Sequence, residues 1–364
     1  MPTDASSTPT PKPTTDLPLT EPPAMPGHIA ILGAGSWGLV LARLLSREGR
    51  QVVVWGRNTQ KIDRLASTYQ QEIPFPLTLP KTCRFTTQLP EAVRGAALIL
   101  LVVTTAGTAS ILQQLQTLAD QGLFPDTAPR PILVNGSKGI TYPDLKTVST
   151  LVAATLPGWD FAVLSGPNLA PEVVRDLPTA SVVASTSLAV AEQVQHWLAT
   201  ERFRIYTNDD VIGVELAGAL KNIFAIVSGY MDARQFGDNA KATLLTRGLA
   251  EMTRFCCALG GQVNTLYGMS GLGDLLATCN SPLSRNYQVG YRLAQGEPIE
   301  AIVRSLQAVA EGVQTTLAVS KLAETLDIDM PVVQQVKAAV TEGISEAAMI
   351  HTLMSRKLRS ECTG

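Results

Sequence analysis

A short apolar run, HIAIL (28–32), leads directly into Gly33-Ala34-Gly35-Ser36-Trp37-Gly38 and then into a helix-compatible stretch, 37–47. In a strand–turn–helix unit each glycine has a physical task. Gly33 makes the tight turn, Gly35 lets backbone approach a pyrophosphate, and Gly38 lets helix and strand pack closely. The helix N-terminus then offers free N–H groups and a positive dipole end to phosphates. A second apolar run, QVVVW (51–55), follows closely and ends in Trp55-Gly56-Arg57-Asn58. Sites restricted to NAD place Asp or Glu here, to hold the ribose 2′-hydroxyl and repel a 2′-phosphate. This chain has Arg57 and no carboxylate before Asp63. The pattern predicts NADPH as cofactor with NADH tolerated; the competing reading is a solvated loop arginine.

Two lysines and one loop carry the remaining chemistry. Within 211–230, VIGVELAGALKNIFAIVSGY, the charged side chains are Glu215 and Lys221. At helical spacing Lys221 neighbours Ala217, Gly218, Phe224 and Ala225, mostly small residues that leave room beside it. A lysine in such a helix is either an acid–base group or a snorkelling side chain with its head in water. Lys138, in NGSKG (135–139), follows an apolar run and so falls at the carboxyl end of a strand, where ligands of open α/β sheets bind. Gly268-Met269-Ser270-Gly271-Leu272-Gly273-Asp274 precedes Ser284-Arg285-Asn286. A glycine-rich loop with one carboxylate, then hydroxyl, guanidinium and amide in sequence, suits a small phosphorylated substrate, with Arg285 able to grip phosphate bidentately. Read alone, Ser284 is equally an ordinary helix N-cap.

The elements that must position these residues change character once. From His28 to Asn208, apolar runs at 28–32, 51–55, 97–103, 131–135, 161–166 and 180–185 alternate with helical segments such as 108–120. That alternation predicts a largely parallel, doubly wound sheet of Rossmann type. After Val211 the strand signals stop. Segment 211–230 is apolar nearly all round, the pattern of a helix buried on every side. Helical stretches follow at 240–259, 285–295, 299–307, 311–326 and 331–340, predicting an all-α C-terminal domain. The expected division is a Pro/Thr-rich disordered tail over 1–27, a dinucleotide-binding domain over 28–208, a helical substrate domain over 209–345 and a C-terminal extension over 346–364.

Composition removes other classes. Hydrophobic residues make up 45% of the 364, charged residues 16%, and the formal net charge is −2. Neither a nucleic-acid nor a membrane-surface partner is expected from that balance. The five cysteines (83, 256, 257, 279, 362) form no C-x-x-C pair and read as reduced cytoplasmic thiols. His28, His196 and His351 are widely separated and predict no metal site. The tail has no apolar h-region and no arginine, so no targeting peptide is expected. The longest apolar strand-like run, 96–103, is too short for a bilayer, and no integral membrane segment is expected.

Taken together, these segments resemble the NAD(P)-dependent glycerol-3-phosphate dehydrogenases of the bacterial and plastid type. The similarity runs from His28 to about Glu342. It is carried by GAGSWG (33–38), WGRN (55–58), NGSKG (135–139), SGPNLAPEV (165–173), GALKNIFAI (218–226), GDNAKATLLTRGLAEM (237–252), GLGDLLATCNSPLSRN (271–286) and EGVQTT (311–316), in the family's order. The resemblance implies that Lys221 accepts and donates the proton with Asp274 tuning it, and that Lys138 touches both cofactor and substrate. It implies substrate contacts from Gly166, Ser284, Arg285 and Asn286, and cofactor contacts from Ser36, Trp37, Arg57, Ala170, Arg285, Val309 and Glu311. Asn168 stands where the family usually has Ser or Thr. A homodimer is the assembly implied.

The implied reaction is hydride transfer between nicotinamide and C2 of dihydroxyacetone phosphate. Lys221 serves as general acid or base and Lys138 stabilises the charge that grows on the carbonyl oxygen. Family membership further implies the reducing direction, supplying glycerol 3-phosphate for phospholipid precursors. Two other readings remain: a reductase of similar architecture acting on another hydroxy acid, and a non-enzymatic dinucleotide sensor. The sensor reading predicts a basic recognition patch, which a near-neutral chain does not offer.

Overall fold

A computed structural model describes residues 26–125, 129–306, 311–343 and 346–357. The expected tail falls outside the described residues except for Pro26 and Gly27, and Val309 falls outside them altogether.

The first part of the chain is an eight-stranded sheet in the order β10-β9-β8-β7-β6-β1-β2-β5. Its strands are β1 (His28–Leu32), β2 (Val52–Trp55), β5 (Arg84–Thr86), β6 (Ala96–Leu101), β7 (Ile132–Asn135), β8 (Phe161–Ser165), β9 (Thr179–Ala184) and β10 (Phe203–Asn208). Every pairing is parallel except β8 with β9. β3 (Gln70–Gln71) and β4 (Leu77–Thr78) form a separate antiparallel ladder. Helices α1 (Ser36–Arg47), α2 (Thr59–Thr68), α3 (Leu89–Val93), α4 (Thr105–Asp120), α5 (Val148–Thr155), α6 (Ala170–Val174) and α7 (Leu188–Leu198) connect the strands.

Central strands are buried on both faces, which is why they read as unbroken apolar runs rather than alternating ones. Ile29, Ile31, Leu98 and Leu100 pack into one core, and Ala30, Leu32, Ile99 and Leu101 into another on the opposite face. The chain leaves β1 toward β2 and β5, then returns across the sheet to β6. β1 and β6 therefore form the topological switch point, the place where ligands of open α/β sheets bind.

The second part is helical among the described residues: α8 (Val211–Ala233), α9 (Asp238–Ala258), α10 (Val263–Leu266), a π-turn over Met269–Gly273, α11 (Asp274–Cys279), α12 (Arg285–Ala294), α13 (Ile299–Ser305), α14 (Glu311–Thr325), α15 (Pro331–Thr341) and α16 (Glu346–Met354). Helix α8 is its axis, packed against α9, α11, α12, α14 and α15. Asp210 starts it, accepting hydrogen bonds from Gly213 N–H at 2.8 Å, Gln262 N–H at 2.8 Å and Thr265 Oγ at 2.7 Å.

Three expectations change. β10, FRIYTN, has no counterpart among the apolar runs: it lies at the sheet edge with Arg204 and Tyr206 exposed, so its composition is mixed. β5 is too short to leave a pattern. Lastly, no stretch was expected to be long and apolar enough for a bilayer, whereas α8, at 23 residues, has both properties. Its most apolar window is 89% buried inside the protein, in line with the all-round apolarity of 211–230, and this burial accounts for its composition.

Candidate active site

The glycine turn lies at the switch point and its geometry matches the tasks its residues suggest. Gly33 has φ +130°, and a Cβ there would stand 2.5 Å from the Val102 carbonyl oxygen just beyond β6. A Cβ at Gly38 would stand 2.0 Å from the Gly33 carbonyl oxygen, so helix and turn touch backbone to backbone. Gly35 differs: a Cβ on it would meet nothing within 4 Å. It occupies the N-cap of α1 with no side-chain cap, so the first N–H groups of that helix, at Ser36 and Trp37, face an open approach. This cradle fits a dinucleotide pyrophosphate, with Gly35 leaving the approach clear. The Trp37 indole nitrogen lies near Gly136, 3.6 Å from the position a Cβ would take there. Arg57 is exposed just past β2, and its guanidinium has no side-chain hydrogen bond or ion pair among the described residues.

Lys138 follows β7 on a loop fixed by its own residues. The Asn135 carboxamide accepts from Ser137 N–H at 2.9 Å and donates to Ser137 C=O at 3.1 Å. The Ser137 hydroxyl donates to Val103 C=O at 2.6 Å. Asn135 Nδ2 also reaches Glu215 Oε1 on α8 at 3.3 Å, and Glu215 accepts from Ser149 N–H at 3.1 Å at the start of α5. Burial raises the Glu215 carboxyl above its usual range despite the bonds from Ser149. Of the two charges noted in α8, Glu215 thus clamps the loop carrying Lys138.

The other, Lys221, is 7% exposed and does not snorkel. Its ammonium donates to Asp274 Oδ1 at 2.7 Å and to Thr278 Oγ at 2.7 Å. Lys138 donates to the second oxygen of the same carboxylate, Asp274 Oδ2, at 2.6 Å and to Gly166 C=O at 2.8 Å. Asp274, 1% exposed, therefore bridges the two lysines. Burial alone would raise its carboxyl, but the two ammonium groups together hold it below the ordinary carboxylate range. Burial and the neighbouring Lys221 push Lys138 down to about 8 against the pull of Asp274. An ammonium has three donors. Each lysine spends two on the protein, leaving one N–H of each for another acceptor.

The surrounding residues arrive from four more segments. Gly166, at φ +140°, turns the chain after β8 so that its carbonyl meets Lys138. Arg285 and Asn286 open α12, with Arg285 exposed. Asn286 is buried and accepts from Gly312 N–H at 3.0 Å. Glu311, beside Gly312, is within electrostatic reach of Arg285, Lys138 and Lys221, and accepts a hydrogen bond from Thr105 N–H at the start of α4. Burial raises the Glu311 carboxyl above its usual range, and Arg285 opposes that rise.

Among the described residues, Ser284, Asn168 and Ala170 make no hydrogen bond to the lysine pair. Ser284 is the N-cap of α12, its hydroxyl accepting from Tyr287 N–H at 3.3 Å. Asn168 donates to Ser181 Oγ at 3.0 Å, while its buried carbonyl oxygen has no partner. Ala170 opens α6. Thr278 is the residue that motif reading missed. It donates to Asp274 Oδ1 at 3.1 Å while accepting from Lys221. Its signal in the sequence is only its place four residues after Asp274, one helical turn on the same face.

Comparison with known proteins agrees with this geometry. The N-terminal signature of NAD-dependent glycerol-3-phosphate dehydrogenase matches residues 28–191, and the C-terminal signature matches 210–351. The chain is 41% identical over 336 residues to a Synechococcus sp. (strain JA-3-3Ab) protein named glycerol-3-phosphate dehydrogenase (NAD(P)+), covering 92% of this chain and 98% of that one. A Citrifermentans bemidjiense protein of the same name is 39% identical over 341 residues, covering 93% and 99%. The crystal structure of glycerol-3-phosphate dehydrogenase from Coxiella burnetii superposes with a TM-score of 0.84 at 34% identity, covering 92% of this chain and all of that one. With both signatures matched in order over most of its length, the chain belongs to the NAD-dependent glycerol-3-phosphate dehydrogenase family.

Proposed function

We propose that the chain is an NAD(P)-dependent glycerol-3-phosphate dehydrogenase that reduces dihydroxyacetone phosphate to glycerol 3-phosphate. The observation that carries this reading is the Lys138–Asp274–Lys221 bridge, which leaves one ammonium N–H of each lysine unspent. Residues 28–208 serve as the cofactor domain, 209–345 as the substrate domain, and 346–364 as a C-terminal extension. The names carried by the relatives support the substrate assignment.

Gly33, Gly35, Ser36, Trp37 and Gly38 would hold the pyrophosphate; Arg57 the 2′-phosphate; Lys138, Ala170, Arg285, Val309 and Glu311 other parts of the cofactor. The nicotinamide, when bound, supplies hydride to C2 of the substrate. As charge grows on the carbonyl oxygen, Lys221 donates a proton to it, acting as general acid in reduction and general base in oxidation. Lys138 stabilises the same charge through its remaining N–H. Asp274 holds both ammonium groups in place, and Thr278 fixes Lys221 from the next helical turn. Arg285, Asn286 and Ser284 bind the phosphate and so orient the reacting carbonyl, with Gly166 and Asn168 bordering the substrate. A second reading gives the proton to Lys138, whose depression to about 8 suits proton transfer near neutral pH. The unpartnered guanidinium of Arg57 supports NADPH as the preferred cofactor. A cytoplasmic homodimer providing phospholipid precursors completes the proposal.

Following NADPH absorbance with dihydroxyacetone phosphate and a panel of other carbonyl compounds tests the assignment. Turnover confined to dihydroxyacetone phosphate supports it, and equal turnover of another hydroxy-acid precursor would replace it. Lys221→Ala is expected to lower kcat by orders of magnitude with NADPH binding retained, and near-normal kcat would remove Lys221 from its role. Arg285→Ala is expected to raise KM for dihydroxyacetone phosphate strongly.

A further inference from the structure

We propose that Lys61 is a second cation for the 2′-phosphate of NADPH, acting beside Arg57 and setting the preference over NADH. The inference rests on the NADPH reading of Arg57 above and extends it to a residue on the following helix.

Charge balance poses the requirement. A phosphate monoester carries roughly −1.5 to −2 near neutral pH, so a single guanidinium compensates only part of it. The segment that would surround a 2′-phosphate reads Gly56-Arg57-Asn58-Thr59-Gln60-Lys61. It contains two cations and no carboxylate. Asn58 is occupied as the N-cap of α2, its side chain accepting from Lys61 N–H at 2.8 Å. The nearest acids lie further along: Asp63 is exposed, and Glu72 pairs with Arg64 at 3.2 Å.

Position brings Lys61 to the same place. The first turn of α2 is seated on the glycine turn through Gly56. A Cβ at Gly56 would stand 2.9 Å from Ile62 Cδ and 3.1 Å from Ala34 Cβ, so β2, α2 and the GAG turn meet at one point. Helical side chains lean toward the helix N-terminus, which from Lys61 is the direction of Asn58 and Arg57. Lys61 is also half-buried, and its ammonium has no ion pair or hydrogen bond among the described residues. Burial lowers its pKa with no carboxylate opposing that effect. A partly desolvated, uncompensated cation four residues after an unpaired arginine is poorly placed for stability and well placed for a dianion. A lysine that merely covers apolar surface with its stem would make no distinction between the two cofactors.

The experiment compares kcat/KM for NADPH and NADH in the wild-type protein, Lys61→Gln, Lys61→Arg and Arg57→Ala, with 2′-AMP and 5′-AMP as competing probes. Lys61→Gln is expected to lower the NADPH/NADH ratio about tenfold, through KM for NADPH, and to weaken 2′-AMP inhibition by a similar factor. Lys61→Arg is expected to keep the ratio. If Lys61→Gln keeps both the ratio and 2′-AMP inhibition while Arg57→Ala loses them, Lys61 is not a contact and the NADPH reading stands. An equal loss with both cofactors would make Lys61 structural and overturn its role in specificity. A wild-type protein with no preference, binding 2′-AMP no better than 5′-AMP, would overturn both readings.

Discussion

Gly218 lies directly beneath the stem of Lys138. A Cβ at Gly218 would stand 3.5 Å from Lys138 Cγ and 2.6 Å from Ser165 Oγ. Lys138 thus passes over α8 at Gly218, where the helix has no side chain, and reaches Asp274 beyond it. The Ser165 hydroxyl is buried and has no hydrogen-bond partner.

Gly218→Ala is therefore expected to destabilise the protein, despite alanine's better helix propensity. Overpacking of this kind costs about 1–3 kcal/mol. The added methyl would only touch the Lys138 stem, at the 3.5 Å of an ordinary van der Waals contact, so the steric conflict falls on Ser165 and kcat is expected to change far less than stability. Denaturant unfolding and steady-state kinetics read the two effects separately. Unchanged stability would mean that the crossing is looser than the 2.6 Å distance to Ser165 indicates.

Asp274→Asn tests the bridge itself. The amide can accept from one lysine through its oxygen but presents N–H groups to the other. Two buried ammonium groups would then repel each other without a counter-charge. Removing one member of a buried charge cluster costs about 3–5 kcal/mol, and part of that loss is relieved if a lysine deprotonates. The variant is expected to unfold at markedly lower denaturant and to lose most of its turnover. Its stability should recover with rising pH more steeply than that of the wild-type protein, a difference that an ordinary packing defect would not show.

The sequence discloses this site unevenly, for physical reasons. GAGSWG was legible because a pyrophosphate cradle imposes a local spacing on a strand, a turn and a helix. Lys221 was conspicuous because a charge in an apolar helix has few explanations. Its partner was not readable from the helix: Asp274 lies 53 residues further on, and only the fold brings the pair together. Thr278 and the Glu215–Asn135 clamp escaped for the same reason, since polar residues at tertiary contacts leave no periodic trace. Ser284 had two readings from the start, and its hydroxyl is engaged as an N-cap. Edge strand β10 was missed because exposed Arg204 and Tyr206 dilute the apolar signal that marked the central strands.

The pH dependence of reduction follows from Lys138. Its folded pKa is lowered from 10.5 to about 8. Between these values the native protein has released a proton that the unfolded chain still holds, so this group makes stability rise with pH across that window. Catalysis moves the other way, because charge stabilisation or proton donation by Lys138 requires the ammonium. The kcat/KM for reduction is expected to fall as pH rises through about 8. In Lys138→Arg, whose cation does not titrate, the limb should shift upward whatever the absolute rate. A limb that stays in place belongs to another group.

A second carboxylate, far from the lysines, links pH to the helical core. Glu251 on α9 is 1% exposed and accepts from Val332 N–H at 2.8 Å and Val333 N–H at 3.2 Å. It thereby serves the start of α15, where the N-cap residue Met330 contributes no side-chain hydrogen bond. Burial raises its carboxyl from 4.5 to about 7, and Asp329 adds to the rise while the two N–H groups and Arg254 oppose it. The native protein therefore keeps a proton that the unfolded chain loses near pH 4.5. Its contribution is complete below that pH and disappears as pH rises through about 7, amounting to about 3 kcal/mol at most. Thermal melting between pH 5 and 8 should show the wild-type Tm declining across this range. Glu251→Gln keeps an oxygen for Val332 N–H but cannot ionise, so its Tm should be flatter over the same range. A wild-type slope that survives this substitution would assign the titration to a different carboxylate.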